Sequence, residues 1–356
     1  MKTLSYLDYF ILSLLKDLPI KATSLFYILK GKRTASMLYK ALETQLTPVF
    51  GLFPSLEKQQ YDQAVQQYLL KNYVAYASSE KEDLILTQEG KEAVEAYFKT
   101  HYKPTALEHL KKGKLLMNFQ KKSLFLIQVF SELRYHNRTY IPIERDYFLQ
   151  LWVKQWLQKQ NIERQELALA FGEEWGQLLD QLAMDSAQQI VLTMTGHTQV
   201  GQTRNQLAYQ SKKESMEIEL QILDSYYVFL LNIDKRPATF PLLYSIIQEE
   251  QSLYPYGLGK SVQLTKNYLE KGYALDEIAS RRNLKNSTVS EHIIELAIIC
   301  EQEQFLNNIP TSIYEKLNKI LEKEKDLSFA QVKESFSELP FLWYRLVQIE
   351  RLKKHV

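Results

Sequence analysis

Apolar residues recur at helical intervals along most of this chain. Tyr6, Tyr9, Phe10, Ser13 and Leu14 mark a first helix, which Pro19 ends. Leu25, Ile28 and Leu29 mark a second that stops near Gly31, and Thr34 is placed to cap a third carrying Met37, Leu38 and Leu42. After Pro54 a fourth runs through Tyr61, Val65, Tyr68 and Leu69. The rhythm then shortens. Tyr73-Val74-Ala75-Tyr76, polar residues 78–83 and Leu84-Ile85-Leu86-Thr87 predict a hairpin, and Gln88-Glu89-Gly90 leads into a further helix. Helices followed by a two-stranded wing give residues 1–100 a winged-helix-like layout.

Residues 101–255 read as long helices that bury one another. The stretch 124–133 is strongly apolar, and helical spacing continues over 146–157, 163–171, 174–192, 206–209, 216–231 and 242–250. Residues 193–202 are polar, include Gly196 and Gly201, and predict a loop. No repeat of fixed period appears. Lys111, Lys112, Lys114, Lys121 and Lys122 crowd one stretch; a solvated helix face is the plain reading and a phosphate-binding patch the alternative. Pro255, Gly257 and Gly259 form the densest cluster of helix breakers and place a boundary there. The expected organisation is mainly α: a winged-helix-like domain over 1–100, a helical middle domain over 101–255 and a helix-turn-helix domain over 256–356.

The sharpest pattern begins at Val262. Val262, Thr265, Tyr268 and Leu269 give one helix, closed by Gly272. Leu275-Asp276-Glu277-Ile278-Ala279 opens a second, with acids in the first turn where the helix dipole favours them. After Arg281-Arg282-Asn283 and the turn Leu284-Lys285-Asn286, Ser287 or Thr288 is expected to cap a third helix with Val289, Ile293 and Leu296 inward. Ala279 is small where two helices approach, and Leu284 plugs the turn, as a helix-turn-helix requires. The face opposite Val289 carries Ser287, Thr288, Glu291, Ile294 and Glu295.

Arg281, Arg282 and Lys285 flank that cap and, with Asn286, Ser287 and Thr288, make a candidate phosphate seat. Glu291 is placed to accept from a cytosine amino group. Two carboxylates on the same face oppose phosphate, so protein docking through Glu291, Glu295 and an exposed Ile294 stays open beside DNA contact. His292 reads as a core-edge residue. A second basic cluster, Lys30, Lys32, Arg33 and Lys40 beside Thr34, lies in residues 1–50, where seven Lys and Arg face three acids. Phosphate contact and a solvated rim are both open there. The whole chain carries 44 Lys and Arg against 42 Asp and Glu, net +2, so any nucleic-acid footprint must be local.

Other chemistry finds little support. The 45% hydrophobic content allows several cores, and few glycines and prolines suit helices. No apolar run approaches the roughly 20 residues of a membrane span, the N-terminus has no cleavable leader pattern, and Cys300 is the sole cysteine, so a cytoplasmic location without disulfides is expected. Cys300 itself reads as packing. Gly257-Leu258-Gly259-Lys260-Ser261 has the end of a phosphate-binding loop, but Tyr254 stands where its first glycine belongs and no strand precedes it. The six histidines form no metal-binding pair. No catalytic residue, metal or cofactor is expected.

With these residues in view the chain resembles the YpbB-like bacterial helix-turn-helix proteins, whose genes neighbour a RecQ-type DNA helicase. Gly259-Lys260, Thr265, Gly272, Asp276-Glu277-Ile278-Ala279, Arg282, Leu284, Ser287-Thr288-Val289 and His292-Ile293 carry the likeness, which is similar to the helicase-associated helix-turn-helix. The run Leu29-Lys30-Gly31-Lys32-Arg33-Thr34 also looks like that family. The resemblance implies a non-catalytic accessory factor for a RecQ-type helicase, acting on duplex or forked DNA in replication or repair. It implies a DNA-contacting role for Arg345 within 339–345. A transcriptional regulator is a further alternative, and it would need one tight site and a symmetric dimer. The sequence reading places two separate weak DNA sites at opposite ends of the chain, joined for avidity.

Overall fold

The computed structural model describes residues 3–15, 19–77, 82–253, 255–300, 305, 309–323 and 327–354. The fold is mainly helical, with eighteen α-helices among the described residues. In chain order they are α1 Tyr6–Leu14, α2 Ala22–Lys30, α3 Ala35–Glu43, α4 Lys58–Leu70, α5 Gln88–Phe98 and α6 His109–Arg134. Then come α7 Tyr147–Lys159, α8 Arg164–Leu179, α9 Met184–Leu192, α10 Arg204–Ser211, α11 Ser215–Lys235 and α12 Pro241–Leu253. The last six are α13 Lys260–Glu270, α14 Leu275–Arg282, α15 Asn286–Ile299, α16 Thr311–Lys323, α17 Phe329–Ser335 and α18 Phe341–Lys354. Strands are few: β1 Ile20–Lys21, β2 Val74–Tyr76 and β3 Asp83–Leu86. No described helix is long and apolar enough to cross a membrane.

Two compact units divide these elements, and neither is continuous in sequence. A long-helix unit takes residues 1–19 and 59–257; a helix-turn-helix unit takes 20–58 and 258–356. This differs from the three consecutive segments expected from sequence. The helices and hairpin expected within 1–100 are present, but α2 and α3 belong to the helix-turn-helix unit and the hairpin to the other. Apolar spacing along one segment reports which face is buried, not which distant helix buries it.

In the long-helix unit, Phe119, Phe130, Trp156, Phe171, Trp175, Tyr226 and Phe229 anchor one continuous core. Buried polar groups fix its connections. Asp224, fully buried on α11, accepts from the Tyr102 hydroxyl at 2.8 Å and from the backbone N–H groups of Thr105 and Ala106 at 3.0 and 2.7 Å. That pins the segment leading into α6. Glu174 on α8 accepts from the Leu242 and Leu243 N–H groups at 2.9 Å each, satisfying the open start of α12. The lysine-rich stretch is not uniformly a solvated face: Lys122 is 6% exposed, bonded to Glu250 at 2.5 Å and seated 3.8 Å above the Trp152 ring. β2 and β3 pair antiparallel with Val74 opposite Leu86, and the hairpin tip at 78–81 lies outside the described residues. Thr87 then caps α5 by accepting from the Gly90 N–H at 3.0 Å.

Candidate nucleic-acid interface

Sequence and geometry agree on how the C-terminal helices turn. α13 runs out at Glu270, and Gly272 at φ +81° takes the left-handed turn that side chains disfavour. At α14, Glu277 reaches back to accept from the Ala274 N–H at 3.0 Å. Asn283 at φ 51° ends α14, and the Leu284 N–H closes on the Ala279 carbonyl at 2.9 Å. Val262, Ile278, Ala279, Val289, Ile293 and Leu296 are all buried, as the spacing predicts.

α15 is capped two residues before Ser287 and three before Thr288, the two expected caps. Lys285 is its N-cap, without a side-chain hydrogen bond, and Ser287 and Thr288 lie inside the first turn. The left-handed Asn283 brings the chain into helical conformation early, and the Asn286 side chain donates to Asp276 at 2.7 Å instead of facing outward alone. Lys285, Asn286, Ser287 and Glu291 are exposed, and Thr288 is half-buried.

The three cations expected at this corner separate. Arg281 is exposed, its guanidinium 4.5 Å from the Tyr273 ring centre. Lys285 is exposed at the helix start. Arg282 turns inward: it donates to the Thr265 hydroxyl and, at 2.9 Å, to the Ser261 hydroxyl. His292 Nδ1 lies 2.7 Å from that same Thr265 hydroxyl and 3.5 Å from the guanidinium. Burial first, and the Arg282 charge second, hold the His292 imidazole below its ordinary pKa. Arg282 is therefore a packing cation that ties α13, α14 and α15 together. Sequence reasoning did not find this network. Its trace was a polar Thr265 at a position of α13 whose period calls for an apolar residue.

The second basic cluster belongs to this same unit. Thr34 caps α3 by accepting from the Met37 N–H. Lys32 is exposed over the Tyr27 ring at 4.2 Å. Arg33 binds Glu295 of α15 at 2.9 Å. Lys30 donates to the Leu56 carbonyl at 3.0 Å, and Lys40 pairs with Glu43 at 2.7 Å. The 30–40 segment and the start of α15 are thus parts of one folded body, which corrects the expectation of two separate ends. Arg345 stands 3.6 Å from the Tyr39 ring centre and is half-buried, so its guanidinium serves the packing of α18 on α3.

The protein-docking face expected on α15 is also corrected. Ile294 is 2% exposed and Glu295 7% exposed, because α3 and α18 cover the side of α15 away from α13 and α14. Glu291 alone of that trio reaches solvent. Charge follows the same division: the helix-turn-helix unit holds 21 Lys and Arg against 16 acids, net +5, and the long-helix unit 23 against 26, net −3.

Residues 261–348 match a family model described as a helix-turn-helix domain. Over 299 residues the chain is 22% identical to Protein YpbB of Bacillus subtilis (strain 168), a match covering 83% of each chain. No solved structure matches.

Proposed function

We propose that this protein binds DNA through its helix-turn-helix unit, without catalysis of its own. Arg281, Lys285 and Lys32 contact phosphates, and Asn286, Ser287, Thr288 and Glu291 of α15 face base edges in the major groove. The carrying observation is that the amino-terminal turn of α15 is exposed, flanked by Arg281 and Lys285, on a packed helix-turn-helix. Recognition helices read bases from that turn. Backbone N–H groups there favour anions, and the unit's net +5 supplies the long-range attraction that the whole chain lacks. Arg33, Arg282, Lys40 and Arg345 support the surface through their bonds and ring contacts inside the unit; Lys30 and Thr34 hold the segment that presents Lys32.

The likeness to Protein YpbB and the resemblance to helicase-associated helix-turn-helix domains extend this reading to an accessory role beside a RecQ-type helicase. Fluorescence anisotropy with labelled duplex, forked and single-stranded DNA at increasing salt tests the core claim. Each phosphate contact contributes a log–log salt slope of about −0.9 on duplex. The Arg281→Ala, Lys285→Ala double variant should weaken binding and flatten that slope by about two. Binding that is absent at low salt, or equal in the double variant, refutes the reading.

A further inference from the structure

The long-helix unit contains a cleft of about 770 Å³ that DNA binding leaves unused. It opens beside the end of α6, along α8 and against residues 194–198, and Phe130, Phe171, Trp175, Leu179 and Met194 line it. Its volume lies within the range of small-molecule sites, roughly 300–1,000 Å³.

Two observations point to a ligand: an open wall and a lining with cations and no carboxylate. Gly172 and Gly176 form its wall on α8, where a built Cβ would meet nothing within 4 Å. Both glycines are exposed, so a side chain at either position would project into the open mouth of the cleft and not against neighbouring atoms. Trp175 lines the cleft at 4% exposure, and its indole N–H has no acceptor. That N–H is shut away from solvent and the ring packs on Tyr226 and Phe229, so a bound molecule would meet the ring as an apolar wall. The lining includes Arg134 and His136 and no carboxylate. An adjoining cavity of about 460 Å³ shares Leu133 and His136, adds Arg138 and Arg164, and also lacks a carboxylate. Arg164 donates to the Leu157 carbonyl at 2.6 Å, which leaves Arg134 and Arg138 as the exposed cations. Glu132, the neighbouring acid in sequence, is held by His197 and Asn137 at 2.8 and 2.7 Å.

We propose that this cleft binds a small amphipathic organic anion. An aromatic or other apolar body fills the space beside Phe130, Phe171 and Trp175, and its acidic group meets Arg134 and Arg138. The unit that holds the cleft carries net −3, which disfavours a polyanionic strand.

Anilinonaphthalene sulfonate, with aromatic rings and one sulfonate, is a direct probe. Titrated into the full chain, it should fill one saturable site and quench tryptophan emission by energy transfer. Gly176→Leu should weaken dye binding at least tenfold with native near-ultraviolet dichroism retained; Gly172→Ala provides a milder filling, with a smaller loss, should the leucine variant misfold. Arg134→Ala with Arg138→Ala should weaken it several-fold and remove its salt dependence. Unsaturable uptake, undiminished binding in natively folded Gly176→Leu or Gly172→Ala, or displacement of the dye by oligo-dT would overturn the proposal.

Discussion

The His292 imidazole shares the Thr265 hydroxyl with Arg282, and burial with that guanidinium holds its pKa below the ordinary 6.5. The unfolded chain takes up a proton near pH 6.5, whereas the folded chain does so only at lower pH. Between those values the unfolded state binds more protons, so stability rises with pH and declines as pH falls through 6.5. The thermal midpoint should drop between pH 7 and pH 5.5, and His292→Gln should reduce that drop. Identical pH profiles for the two proteins would show the histidine uninvolved. Ile294 makes a second demand at this scale. An aspartate there would be buried, so Ile294→Asp should cost about 3 kcal/mol or more, read as a lowered denaturant midpoint. An unchanged midpoint would mean that the side chain is solvent-exposed after all.

Among the elements, α15 carries most of the consequences. Sequence spacing identified its inward residues Val289, Ile293 and Leu296, because one face of a helix repeats every three or four residues. It did not identify the opposite face, although the trace was present: Ile293-Ile294-Glu295-Leu296-Ala297-Ile298-Ile299 is apolar nearly all round, and such a helix is enclosed rather than amphipathic. Glu295 is the one charge in that run, and Arg33, just ahead of α3, answers it. Its partner 262 residues away has no local sequence signal. Arg33→Ala leaves a buried carboxylate unpaired. Arg33 is itself partly solvated, its side chain 34% exposed, so the cost is discounted to about 1–2 kcal/mol. A double-mutant cycle with Glu295→Gln in urea measures the coupling, and strictly additive losses would deny the pair any energetic role.

At the scale of the molecule, the helix-turn-helix was legible because its constraints are local: a small Ala279, a plugging Leu284 and glycine at a left-handed turn. The unit containing it was not legible, because one of the four helices packed on α15, namely α3, comes from residues before position 60. This arrangement makes a prediction opposite to that of a domain drawn along the chain. A fragment of residues 256–356 lacks α3, whose Leu38 and Ala41 are fully buried, and loses the cation that neutralises Glu295. Apolar residues of α15 then face water, at about 25 cal/mol for each Å² uncovered, against a total domain stability of only about 5–15 kcal/mol. The isolated fragment should unfold broadly and at low denaturant. Residues 20–58 joined to 258–356 by a flexible Gly/Ser linker should restore a single steep transition, read by circular dichroism and amide dispersion. The fusion should also regain the salt-dependent DNA affinity of the full chain, since Lys32 and the α15 amino-terminal turn return to one folded body. Equal cooperativity in the two fragments would mean that α3 merely decorates the helix-turn-helix, and Lys32 would then lose its fixed place on the proposed surface.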